Sequence, residues 1–159
     1  MNTTKASLRQ EILDARDELL SEIEHLSVED LPKPVPAEGW TVKDVVTHLA
    51  ANQPTQPVLI RSILDGKGGT RPDFDLDFFN RRGLEKRQGK SIDELKSELA
   101  AGHTDTLNLL DNLTEEQLAA QGKHPRGAMT VADIFRTIAW HDREHTGHIR
   151  AALGKSAAP

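Results

Sequence analysis

Four stretches of the chain repeat apolar residues every three or four positions, which restricts it to helices that each hide one face against the others. Leu8, Ile12, Ala15, Leu19, Ile23 and Leu26 share one face between about Thr4 and Leu26, with Arg9, Glu11, Arg16, Asp17, Glu18 and Glu22 on the other faces. A second stretch starts at Thr41-Val-Lys-Asp44, where the threonine can cap a helix and the aspartate three residues on can reach back to it. It continues through Val45, Val46, His48 and Leu49, and Pro54 and Pro57 predict a kink or break before Val58–Leu64. The third opens on Ser91-Ile-Asp-Glu94 and runs to about residue 112, and the fourth opens on Thr130-Val-Ala-Asp133 and ends near Leu153-Gly154. Thr114-Glu-Glu-Gln117 adds a short helical turn, and Gly122–Gly127 reads as a loop. No segment has the alternation of a strand. The reading is an all-α single domain over residues 1–159, a four-helix bundle with 155–159 as a loose tail.

The most informative residues lie in the last helix. His141 and His145 are one turn apart, and Ile134, Thr137, Ile138, His148 and Ala152 fall within about 60° of His141 on a helical projection. Imidazoles on a core-facing stripe suit a transition metal, and two ligands from one helix call for a third from elsewhere. His48, between Val45 and Leu49, is the leading candidate; His103, near the inner edge of the third helix, is the rival, and His124 is assigned to a solvated loop. His25, at the end of the first helix, is expected to meet the exposed carbonyls there.

Height along the bundle separates the candidates. His48 lies about 9–11 Å from the start of its helix, and His141 and His145 about 12–18 Å from the end of theirs, at 1.5 Å per residue. The three meet only if the second and fourth helices are antiparallel, and then the second and third must be parallel. A long crossover has to join those two, and Gly66–Lys90 is long enough. The phenylalanines Phe74, Phe78 and Phe79 pack this crossover back on the body, with a short helix around Asp77–Lys86.

Three neutral imidazoles with an open position are the ligand pattern of catalytic zinc, and nickel, iron or cobalt also accept them. Asp44, Asp142 or Glu144 are available to orient a ligand ring, although Asp142 and Glu144 are expected on the hydrated edge. His141-Asp-Arg-Glu-His145 also fits the H-x-x-E-H pattern of inverted zinc proteases, but no carboxylate side chain follows His145 to complete that ligand set.

Composition narrows the chemistry. The chain has no cysteine, so any thiol must arrive on a small molecule, and it has no tyrosine to act as an acid. A net charge of −5 with scattered basic residues predicts no nucleic-acid partner. The lack of a long apolar run or signal-peptide core predicts no membrane partner and a cytoplasmic location.

Trp40-Thr-Val-Lys-Asp-Val-Val-Thr-His48-Leu resembles the second-helix signature of the DinB-like bundles, a superfamily that includes mycothiol-dependent maleylpyruvate isomerases and bacillithiol transferases. Met129-Thr-Val-Ala-Asp-Ile and Ile138-Ala-Trp-His141-Asp-Arg-Glu-His145 resemble its last-helix signature. The resemblance covers nearly the whole chain and implies an up-down-down-up bundle with His48, His141 and His145 as metal ligands, zinc or nickel as the metal, and a homodimer. It implies a small-molecule substrate and a metal that activates the sulfur of a low-molecular-weight thiol in a transferase reaction. Metal-dependent hydrolysis through bound water, and a non-enzymatic binding module, are the alternatives. Asp77-Phe-Phe-Asn80 resembles a motif of some members, with Asn80 and Arg82 as candidate cofactor contacts; His148 stands where many members carry glutamine.

Overall fold

The computed structural model describes residues 5–36 and 39–155. Thr4, where the first helix was expected to begin, and all but Lys155 of the expected loose tail lie outside the described residues. Helix α1 spans Lys5–Glu24, α2 Val42–Asn52, α3 Thr55–Leu64, α4 Leu76–Lys86, α5 Ile92–Asn112, α6 Glu115–Leu118 and α7 Val131–Ala152. Reciprocal caps start four of them: Thr41 with Asp44, Ser91 with Glu94, Thr114 with Gln117 and Thr130 with Asp133. Each satisfies backbone N–H groups that the first turn leaves without partners. At the end of α1, His25 Nδ1 lies 2.7 Å from the Ser21 carbonyl. Pro54 divides α2 from α3, as its missing N–H and ring require.

Pairing between helices fixes the topology. Lys5 Nζ donates to the carbonyls of Asp111 and Leu113, and Arg9 pairs with Asp111, so α1 and α5 are antiparallel. Arg143 meets Glu18 and Arg150 meets Glu22, so α1 and α7 run the same way. Arg61 pairs with Asp105 while Gly102 packs on Gln53, so the α2–α3 unit and α5 are parallel. The order is up-down-down-up, and residues 65–91, carrying α4, form the crossover that two parallel neighbours need. No helix among the described residues is long and apolar enough to cross a membrane.

The expectation of no strand is corrected. β1 (Gln121–His124) and β2 (Gly127–Thr130) form an antiparallel hairpin that leads into α7. Backbone contacts hold it in place of a β-type side-chain pattern. Gly122 lies so close to Ile63 of α3 that any Cβ would collide with it. On its other side the crossover joins as a parallel bridge: Thr70 N donates to Lys123 O at 2.8 Å and Lys123 N to Gly68 O at 2.9 Å.

The apolar interior falls into two clusters. One gathers Leu8, Ile12, Ile60, Leu110, Ile134 and Phe135; the other gathers Leu19, Ile23, Val45, Leu49, Leu99 and Ile149. Between these residues in sequence come polar ones: Arg16 on α1, Gln53 at the C-terminal cap of α2, His103 on α5 and Asp142 on α7. Asp142 is fully buried; its Oδ1 accepts from Gln53 Nε2 at 3.1 Å and its Oδ2 lies 3.5 Å from His103 Nε2. The metal candidates are set beside this layer.

Candidate metal centre

His48 leaves α2 from its buried face, and His141 and His145 leave α7 one turn apart. Antiparallel packing brings the rings together: His141 Nε2 lies 3.0 Å from His48 Nε2 and 3.1 Å from His145 Nε2. A tetrahedral ion with bonds of about 2.0–2.1 Å would hold its nitrogen ligands about 3.3 Å apart; two of the three separations are close to that, and the ligand atoms of all three residues lie within 4.8 Å of one another. Burial disfavours the charged forms and pushes the imidazoles down, His48 to about 4, His141 to about 3 and His145 to about 2; for the last two, repulsion from neighbouring histidines and Arg126 adds to burial. At neutral pH all three are uncharged, the state in which imidazole ligates.

The surroundings orient the rings. His148 Nδ1 lies 3.2 Å from His145 Nδ1, so His148 steadies the far side of a ring whose Nε2 points to the centre. Trp40 lies tilted over His48, with centroids 4.9 Å apart. The open side faces a cavity of about 230 Å³ bordered by Asn52, Gln56, Asn80, Arg126 and Glu144. Gln56 and Asn80 line this cavity, and their Oε1 and Oδ1 atoms are buried without a hydrogen-bond partner. Arg126 stacks on Trp140, its Cζ 4.4 Å from the ring centre.

The sequence candidates sort clearly. His48, His141 and His145 are brought together as a group able to hold a metal ion, and His103 is not, being buried beside Asp142. His124 is corrected from a solvated loop to a buried strand residue that lines the cavity, because the hairpin folds it inward. Asp142 is likewise corrected from the hydrated edge to the centre of the bundle. Glu144 is half-buried on the cavity wall, and Asp44 is engaged by Thr41 in the cap. Asn80 reaches the cavity; Arg82 pairs with Glu85 at 2.7 Å and does not line it. Asn52 and Gln56 join the site beyond the sequence candidates, and they follow His48 at four-residue steps, a polar stripe legible in the sequence. Arg126 had no such signal, because the hairpin that places it is held by backbone contacts.

Comparison with known proteins agrees with this architecture. A protein of Bacillus cereus, provisionally named a metal-dependent hydrolase, is 30% identical over 142 residues, covering 88% of this chain and 80% of its own. YfiT from Bacillus subtilis, described as a probable metal-dependent hydrolase with an unusual four-helix bundle topology, superposes with a TM-score of 0.79 at 22% identity, over 98% of this chain and 91% of its own. A mycothiol-dependent maleylpyruvate isomerase has a TM-score of 0.80 at 10% identity, over 93% of this chain and 61% of its own; at such identities the likeness is one of fold. The profile of the DinB superfamily matches residues 3–149, and the chain belongs to that superfamily.

Proposed function

We propose that the protein is a divalent-metal-dependent hydrolase of a small molecule, with His48, His141 and His145 as the ligands. The observation that carries this is the convergence of three neutral Nε2 atoms on one point at the wall of a cavity. A bound divalent ion would supply Lewis acidity that lets water lose its proton near neutral pH. Zinc suits the all-imidazole set, with nickel next. Glu144, which lines the same cavity, is the carboxylate we assign to take up that proton, and the Gln56 and Asn80 side chains, which line it too, are assigned to orient the substrate. The name given to the Bacillus cereus relative supports hydrolysis.

A thiol-transferase reading is favoured by one feature, the carboxamides of Asn52, Gln53, Gln56 and Asn80 that line the cavity with the histidines, which suit an amide-rich thiol cofactor. In that reading Asn80 is the cofactor contact and Arg82 stays outside. The homodimer implied by the resemblance belongs to either reading, and sedimentation velocity tests it.

The deciding experiment compares metal content in the native protein and in His145→Ala, then follows turnover of small esters, amides and lactones with and without low-molecular-weight thiols. The ligand assignment predicts bound metal that His145→Ala largely loses; equal metal in both overturns it. Thiol-independent, chelator-sensitive turnover supports hydrolysis, and strict dependence on thiol replaces it with transfer.

A further inference from the structure

The crossover does more than join two parallel helices. Its backbone is bonded to both sides of Lys123, and Gly69 runs so close to the Lys123 carbonyl that no side chain fits between them. This fixes Phe74 and Phe79, whose ring centroids are 5.5 Å apart, over Leu59 and Ser62 of α3. Between them lies a second cavity of about 260 Å³ with mainly apolar walls. Asn52, Gln56, Leu76 and Pro125 border both this cavity and the one at the histidines, so the two adjoin. Each alone falls short of the roughly 300–1,000 Å³ usual for a small-molecule site, and joined they reach it.

The surface around the second cavity is unusually apolar. Val58, Phe74 and Leu76 line it while remaining 64%, 38% and 39% exposed, and they are half of the large hydrophobic side chains exposed among the described residues. Hydrocarbon laid there would remove that surface from water. We propose that this groove binds an alkyl or aryl tail of the substrate while the reacting group sits at the histidines, so that the substrate is a molecule with a polar, reactive end and an apolar end. The occupant is a ligand tail because the groove shares the walls Asn52, Gln56, Leu76 and Pro125 with the metal cavity rather than lying on a separate face. The inference rests on the reading of the three histidines as a metal centre.

Straight-chain hydroxamic acids test it without requiring turnover. Their head group chelates metal, and their tail can be lengthened one methylene at a time from acetohydroxamic to octanohydroxamic acid. Titration calorimetry of the zinc-loaded protein is expected to show affinity rising about fourfold per buried methylene until the groove is full. Ser62→Phe, which fills the groove from α3, is expected to abolish that rise and leave acetohydroxamate binding as in the native protein. Phe74→Ser removes one wall at an exposed position, so it serves if Ser62→Phe does not fold, and is expected to flatten the rise. No dependence on chain length in the native protein, or an unaltered dependence in the folded variants, overturns the proposal. So does a native dimer that Ser62→Phe converts to monomer, since the groove would then belong to a second copy. If acetohydroxamate itself does not bind, the metal reading fails and n-octanol, followed by NMR, tests the groove alone: binding that Ser62→Phe removes supports it, and absence of binding overturns it.

Discussion

Acidifying the metal-free protein from pH 7 to pH 5 is expected to destabilise it through His48, His141 and His145 specifically. Their folded-state values lie well below the ordinary 6.5, at about 4, about 3 and about 2, with burial the first cause in each. The unfolded chain therefore binds more protons than the folded one across this range, and stability falls as pH falls below 6.5, with each loss complete only below the folded value. At pH 5 each unfolded histidine is about 1.5 units below its titration point while its folded counterpart is still neutral, which costs roughly 2 kcal/mol per residue. The rings touch one another, so protonating one opens the site for the others. The expected loss is thus between about 2 and about 6 kcal/mol. Urea midpoints of chelator-treated protein at the two pH values measure it. A variant with all three histidines changed to leucine sets the baseline, because it keeps every other titrating group. If that variant loses as much stability as the native protein over the same interval, the rings are not buried and neutral as described.

Other perturbations read different parts of the structure. Thr130→Ala removes the cap of α7 at the junction with the hairpin and is expected to cost about 1 kcal/mol by thermal denaturation. Gly122→Ala drives a methyl into Cγ1, Cδ1 and Cγ2 of Ile63 and is expected to cost about 1–3 kcal/mol, with Ile63→Ala, which removes all three atoms, costing less in that background than alone; additive losses in the double variant would count against the contact. Asp142→Ala removes the acceptor shared by Gln53 and the neighbour of His103 and should cost about 3 kcal/mol, whereas an effect below about 0.5 kcal/mol would mean that the carboxylate is hydrated.

The long elements and the three histidines were legible because both follow helical spacing. An interior stripe on α7 dictates which way His141 and His145 face, and the length of the crossover dictates which helices can be parallel. The hairpin was not legible: Gln121-Gly-Lys-His-Pro-Arg-Gly-Ala-Met-Thr130 has no alternation, and its register comes from Ile63 and the crossover, both distant in sequence. The errors at His124 and Asp142 share that origin. His124 takes its side from the hairpin, and Asp142 meets in the interior a hydrogen bond from Gln53 and the nearby charge of Arg16, both from other elements. A charged residue beside a surface-facing arginine gives no local sign of such partners.

Arg16, Gln53, His103 and Asp142 interrupt the greasy interior at half height. If one rod slid past its neighbour by a single turn, about 5.4 Å, each of these groups would face leucine instead of its counterpart. Such a layer is expected to act as a dowel pin that sets how far each rod is inserted, and with it the level at which His48 meets His141. Turning the whole layer to leucine and methionine is expected to raise the melting temperature and weaken zinc binding together; a gain in melting temperature with full zinc affinity would show that the pin is dispensable.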